Sequence, residues 1–403
     1  MTDVTSRRNA DLILACLCLS LRIMLVTVLF EAMTLPLPLI GRDLGLSQPS
    51  LQSVFSVSMI LGALFSLCAH WVVDRVGRRE MVALSAILVC ALGLLTTVVT
   101  SGRAYAAILP AIFAVNAWGS AASRALLRDL SGERNYSKVF AYGQAGLEAA
   151  CIVAPLVGGV TAMAWGWRPT FAVFCAALLL IPLMVAWAVP APATAHKARN
   201  PRRHDEPVVH AFHILLHKRS VAPVLLLCAT QSSYSALLVA TPFLLVDRFD
   251  MSVVAVGAML SGFAGIGILG YLGAGSLVAR VGEFRCVQAG VFLQGVSAGT
   301  LTLLTLLTPP SFAMFTTALI ATQLGYCLVV PAANACAMNV PEESRVTIAG
   351  RILGLQALAG GGAALIAGLT YDGSATSLAI VCVLAAAGAT VLNMKSREAA
   401  AVR

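Results

Sequence analysis

Long apolar runs, each about twenty residues or more, follow one another along this chain with short polar breaks between them. A bilayer core roughly 30 Å thick asks for about 20 apolar residues per helix, so each run predicts one spanning helix. Twelve are expected, near 12–40, 51–73, 81–100, 104–125, 139–163, 168–190, 219–246, 253–278, 286–307, 311–338, 346–369 and 377–394. The runs are continuous rather than alternating, which excludes a β-barrel. The expected class is an all-α polytopic membrane protein.

Composition agrees. Charged residues make up 11% of the chain and hydrophobic ones 59%, with mean hydropathy +0.87, against about 25% charged in a soluble domain. A water-soluble fold built from this sequence would lack polar surface to cover itself. Arg7 and Arg8 precede the first run, but Leu12 to Ile40 is too long for a secretory h-region and reads as a spanning helix kept in the mature protein. The eleven cysteines are scattered, with no CxxC, and read as small packing residues rather than a disulfide framework or metal–thiolate site.

Charge sets the orientation. Even-numbered connections and the two termini hold 22 of the 27 Lys and Arg, and odd-numbered connections hold four. By the positive-inside bias both termini face the cytoplasm, in the cytoplasmic (inner) membrane. The net charge of +9 is then a topology signal with affinity for anionic membrane lipid, not a nucleic-acid footprint. The one long connection, "APATAHKARNPRRHDEPVVHAFHILLHKRS" (Ala191–Ser220), divides the chain into a bundle over 1–190, a cytoplasmic linker over 191–218 and a second bundle over 219–403. His210, His213 and His217 share a helical face there, as an amphipathic helix on the leaflet or as a metal site.

The two halves echo each other. "HWVVDRVGRRE" (His70–Glu80) returns as "GSLVARVGEFR" (Gly275–Arg285), with Arg75, Val76 and Gly77 matching Arg280, Val281 and Gly282. "AYGQAGLEA" (Ala141–Ala149) returns as "AGRILGLQA" (Ala349–Ala357), where Glu148 meets Gln356. Two six-helix halves of like orientation are the mark of parallel transporter repeats, whose substrate site lies at midplane between them. In the charged knot, Gly77 supplies a backbone shape that a side chain would block. Asp74 sits at a helix C-terminus, which repels an anion. It must find partners elsewhere, and a partner in the other half makes a latch; the alternative is an orientation anchor only.

Few charges fall inside the runs: Arg22, Glu31 and Glu148, with Arg351 near a helix end. Such groups are functional hypotheses by default. Glu31, ahead of Pro36 and Pro38, is the strongest candidate to take up and release a proton; the alternative is a structural carboxyl on a fixed cation. Arg22 and Glu148 lie at similar depths and either pair with each other or serve separately, Arg22 snorkelling to the headgroups. Asn116 and Trp118, Gln231 and Tyr234, and Gln323, Tyr326 and Asn334 either line a cavity or act as interhelical glue. Sparse polar groups in an apolar lining suit an amphipathic ligand. No nucleophile elbow, phosphate loop or metal-ligand cluster stands in the sequence, so no enzyme is expected.

"DRVGRR" after the second span resembles the signature loop of the major facilitator superfamily. "RALLRDL" (Arg124–Leu130) and "APLVGG" (Ala154–Gly159) resemble the bicyclomycin-resistance branch of its drug exporters, the Bcr/CflA group, and "EAMTLPLPLIGRDLG" (Glu31–Gly45) is similar to that branch's first span. The resemblance implies twelve helices as two six-helix parallel repeats around a central cavity lined by spans 1, 4, 7 and 10. It implies alternating access driven by the proton gradient with no cofactor, a small-molecule substrate and a monomer. Asp74, Arg75, Gly77, Arg78, Arg128, Asp129, Pro155, Gly158 and Gly159 would form the conformational latch; the charges inside the runs, Glu31, Arg22 and Glu148, are the candidates to couple the proton on their position rather than on the resemblance. The implied activity is export of a drug or an endogenous metabolite such as a siderophore, with proton-linked uptake and a transport-deficient sensor as alternatives. Three departures stand out: His70 replaces the loop's leading Gly, "ILPAIF" (Ile108–Phe113) lacks the span-4 Arg, a role Arg22 is placed to fill, and Glu148 is not part of the usual span-5 motif.

Overall fold

In hydrocarbon a backbone must satisfy its polar groups within itself, which leaves an apolar chain of this kind the helix. A computed structural model describes residues 2–32, 37–46, 48–189, 221–251, 253–306, 311–340, 344–370 and 374–401, and every regular element among them is helical. The first set comprises α1 (Thr2–Ala32), α2 (Leu37–Asp43), α3 (Gln48–Leu67), α4 (Ala69–Val76), α5 (Arg78–Val98), α6 (Gly102–Trp165), α7 (Trp167–Ala177) and α8 (Leu180–Ala188). The second comprises α9 (Val221–Phe249), α10 (Val253–Val281), α11 (Glu283–Leu306), α12 (Phe312–Ala337), α13 (Arg345–Leu369) and α14 (Thr376–Ala401). The linker expected over 191–218, with its histidines, lies outside the described residues.

Among the described residues ten helical segments are long and apolar enough to cross a membrane, eleven when the bent pair α3–α4 counts as one span. With the shorter apolar segment Ile13–Leu29 of α1, a helix stands at each of the twelve expected spans. Hydroxyls inside the spans bond back to their own helix: Thr27 donates to the Ile23 carbonyl, Thr230 to Leu226 and Thr241 to Leu237. This removes a polar hydrogen from lipid without requiring a partner helix.

Two boundaries differ from the expectation. The second span breaks by 60° between Val54–Leu67 and Ala69–Val76. There the Phe65 carbonyl accepts both the Cys68 N–H, at 3.2 Å, and the indole N–H of Trp118, at 3.1 Å. A side chain entering the ladder is a recognised cause of a kink. Spans four and five, in turn, form two arms of α6, Gly102–Glu133 and Asn135–Trp165, turning at Gly132, whose φ of 70° favours glycine.

The sets meet along two seams. α3 runs against α13, and the second arm of α6 against α10. At the first seam a Cβ on Gly350 would overlap the Ser66 carbonyl oxygen, and one on Gly354 would stand 2.6 Å from the Ala63 carbonyl oxygen. The Ser66 hydroxyl donates across the seam to the Gly350 carbonyl at 3.0 Å. Small residues let backbones touch where lipid gives no hydrophobic drive to association. At the second seam a Cβ on Gly275 would stand 2.8 Å from the Tyr142 ring.

Overpacking a contact of this kind costs about 1–3 kcal/mol. Gly350→Val is therefore expected to lower the thermal midpoint of the purified chain by several degrees. Gly361→Val, where a Cβ meets nothing within 4 Å, should leave it in place. Equal midpoints for the two variants would refute the seam's backbone contact.

Candidate functional site

Glu148 stands on the second arm of α6, facing α10. A Cβ on Gly267 would lie 3.3 Å from its carboxyl carbon and would overlap the Gln323 amide nitrogen. The missing side chain thus lets a carboxyl of one set reach an amide of the other. Gln323 is fully buried on α12. Its amide is the carboxyl's polar neighbour but completes no hydrogen bond of standard geometry.

An aromatic layer closes the site from the second set. Tyr234 of α9 stacks on Tyr326 of α12 with centroids 4.3 Å apart and planes at 19°, and Phe263 of α10 backs Tyr234 at 6.2 Å. The Tyr326 hydroxyl donates to Gln231 Oε1 at 2.7 Å, and the Gln231 amide donates to Ser235 at 3.0 Å. Glu148 lies within electrostatic reach of Tyr234, Tyr271, Tyr326 and Cys327. Among the described residues no cation pairs with it. A charge taken out of water is costly without one.

The structure does not bring Arg22 to Glu148. Arg22, 1% exposed, turns into the first set. It donates to Ser120 Oγ at 2.7 Å, Asn116 Oδ1 at 3.2 Å and Ser85 Oγ at 3.3 Å. Gly119 makes the room, since a Cβ there would overlap both the guanidinium and Ser85. Arg22 therefore lies against residues 116–120 of the fourth span, a stretch with no arginine of its own. Glu31 falls in the last turn of α1 and Pro155 within α6, and their side chains lie outside the described residues.

The remaining candidates distribute as follows. Gln231, Tyr234, Gln323 and Tyr326 share the Glu148 site. Asn116 belongs to Arg22. Trp118 binds the α3 break and packs edge-on to Phe65 at 5.9 Å. Asn334 is buried, donating to the Val330 carbonyl at 2.8 Å. Gly158 is buried and Gly159 half-buried, while Asp74 and Arg75 are exposed.

At the end of the bundle carrying the Gly77 turn, charges join the sets. Asp129, on the first arm of α6, accepts from Arg78 of α5 and from Arg345 of α13. Gly77 (φ 103°) turns the chain so that Arg78 begins α5 beside Asp129. Arg79 caps α8, donating to the Val189 carbonyl at 2.9 Å and Ala186 at 3.1 Å, where a cation suits the helix C-terminus. Arg128, 3% exposed, closes the Gly132 turn through the carbonyls of Gly132 (3.2 Å) and Glu133 (3.1 Å). Arg345 passed in the sequence for an orientation charge; no local signal marks it as the partner of Asp129.

The opposite end has its own clasp. Arg168 donates to the carbonyls of Thr97 (2.6 Å) and Val99 (2.8 Å) at the end of α5, and pairs with Asp43 of α2 at 2.8 Å. Trp167 Nε1 also donates to Asp43, at 3.0 Å. These bonds, Trp167's first and Arg168's next, hold the Asp43 carboxyl below the usual carboxylate range.

Comparison with known proteins follows from this geometry. The family model described as Major Facilitator Superfamily matches residues 15–368. Multidrug resistance protein D of Escherichia coli (strain K12) is 26% identical over 172 residues, a match that spans 41% of each chain. The crystal structure of a Major Facilitator Superfamily transporter, FucP, in the outward conformation superimposes with a TM-score of 0.75 at 12% identity, covering 96% of this chain and 99% of that one.

Two outcomes are expected. Asp129→Asn leaves two guanidiniums facing each other, so hydrogen exchange over 344–352 should quicken severalfold; the double exchange Asp129→Arg with Arg345→Asp should slow it again. A single variant that exchanges like the parent would refute the joint. For Asp43 the folded-state affinity for a proton is the weaker one, so its contribution is present above the unfolded pKa of about 3.9 and is lost as pH falls through the lower folded value. Asp43→Asn should lower the thermal midpoint at pH 7, and its gap to the parent should narrow as pH falls below about 3.9.

Proposed function

The chain belongs to the Major Facilitator Superfamily, and from that premise we propose that it exports a small amphipathic compound, a drug or an endogenous metabolite such as a siderophore, by proton antiport across the cytoplasmic membrane. The observation that carries the reading is Glu148. It is a carboxyl without a fixed cation among the described residues, set at the seam between the helix sets beside a stacked tyrosine pair and two glutamines.

A group so placed can bind a proton or a ligand's positive or hydrogen-bonding group, but not both at once, which is the competition antiport requires. The tyrosine faces offer apolar area, and the hydroxyls and amides orient what lies on them. Multidrug resistance protein D, similar over part of its length, favours a drug-like cargo. The joint at Asp129 then serves as the part that opens and closes, and Arg22 as the cation missing from the stretch Ile108–Phe113 of the fourth span. Glu31 is a second carboxyl on the same task, at the end of α1. With both termini in the cytoplasm, the Asp129 joint closes the cytoplasmic side.

The test is flux into inverted membrane vesicles with an acid interior. A lipophilic fluorescent compound should accumulate inside as protons leave. Glu148→Gln should cut the gradient-driven rate at least tenfold while exchange without a gradient persists. Glu31→Gln should lower the gradient-driven rate as well. Full accumulation with both carboxyls replaced, or accumulation only with the gradient reversed, would refute antiport in the export direction.

A further inference from the structure

Three buried hydrogen-bond donors at the seam between the sets have no acceptor among the described residues: Arg124 Nη1, Tyr136 Oη and Tyr271 Oη. Both tyrosines are 0% exposed. The Arg124 guanidinium lies 5.4 Å above the Phe140 ring, and the Tyr136 ring is 5.8 Å from that same ring, so the two sit together inside the elbow of α6. Tyr271 comes from α10 of the other set and packs on Ala145 and Cys327. The charge of Arg124 reaches Tyr136, Tyr326 and Tyr271.

The carboxylates nearby are committed elsewhere. Asp129 serves Arg78 and Arg345, and Glu133 faces Arg128; Glu148 acts on Tyr271 and Tyr326 but is not among the groups that reach Arg124. The Tyr326 hydroxyl already donates to Gln231. What is left is the Arg124 guanidinium and two phenol O–H groups, with a second guanidinium, Arg128, 5.3 Å over the Tyr136 ring. A guanidinium cannot accept, and each hydroxyl has a hydrogen to give. A buried charge without its opposite is costly, and so is each unmet donor. One negatively charged acceptor answers both.

We propose that a small monovalent anion, of the chloride or carboxylate kind, binds between Arg124, Tyr136 and Tyr271, and that it braces the contact of α6 with α10. Because Arg124 and Tyr136 belong to one set and Tyr271 to the other, the bound anion favours the arrangement in which this seam is closed. The site needs no proton exchange at Glu148, and its test reads binding rather than flux.

The full chain, purified in detergent in a gluconate buffer at constant ionic strength, is titrated with chloride and separately with acetate, and the thermal midpoint is followed. A saturable rise of a few degrees is expected with one or both. A response to chloride alone assigns a halide-sized site, and a response to acetate alone assigns a carboxylate site. Arg124→Gln should abolish the rise, and Tyr271→Phe should move its half-point at least threefold to higher concentration. Should Arg124→Gln not fold, Tyr271→Phe decides. No saturable response to either anion, or a titration unaltered by the variants, would overturn the proposal.

Discussion

One carboxylate, Asp129, shared by two guanidiniums, is the interaction on which the arrangement of the two helix sets turns. Arg78 reaches it from within the first set and Arg345 from the second. The sharing has a consequence for motion. In the motion proposed above, α13 withdraws with Arg345 while Arg78 stays, so the carboxylate is never stranded. Breaking a buried pair by removing one partner is strongly destabilising because a charge is left alone. Here that penalty is avoided, and the joint costs only the difference between two partners and one. Partly exposed ion pairs are worth about 0–1 kcal/mol each. On the proposed reading the joint selects between arrangements without locking either.

The larger share of the contact comes from shape. Gly350 and Gly354 let α13 touch the backbone of α3, and Gly267 lets Glu148 and Gln323 meet across the other seam. Glycine serves the two seams differently. At the first it brings backbone carbonyls within reach of a side-chain donor, as with Ser66 and Gly350. At the second it makes room for polar side chains that no single helix could bring together. The site is thus a property of the closed seam: separating α6 from α10 takes the Glu148 carboxyl away from Gln323 and Tyr271 while leaving the tyrosine stack of the second set intact.

The twelve spans were legible because the bilayer condition acts on each segment by itself: about twenty apolar residues suffice, wherever the segment packs. The break after Leu67 was not, since its cause, the Trp118 indole on the Phe65 carbonyl, lies some fifty residues away. The cluster of Gln231, Tyr234, Gln323 and Tyr326 could be picked out because polar residues stand out against apolar runs. Depth alone misled for Arg22 and Glu148. Two residues at one level of a bundle meet only when both helices are rotated to face each other, and each step along a helix turns the side chain by about 100°. Arg22 faces Ser85, Asn116 and Ser120 instead. Arg345 and Arg124 were absorbed by the charge bias of the connections, which explains an arginine's presence at a span end so well that it hides any second role.

The buried charges of the two sets are balanced in different ways, and the contrast bears on how the molecule works. Arg22 is surrounded by neutral oxygens of its own set, contacts that survive any movement of one set against the other. Glu148 and Arg124 sit at the seam, where their surroundings change when it opens. A fixed environment holds a charge state constant; a changing one makes the charge state depend on conformation, and by linkage makes conformation depend on what binds the charge. On the two proposals made above, a proton or cation binds at Glu148 and an anion at Arg124, and both sites lie on the shared helices α6 and α10. Any dependence of either site on the seam then couples it to the other without contact between them.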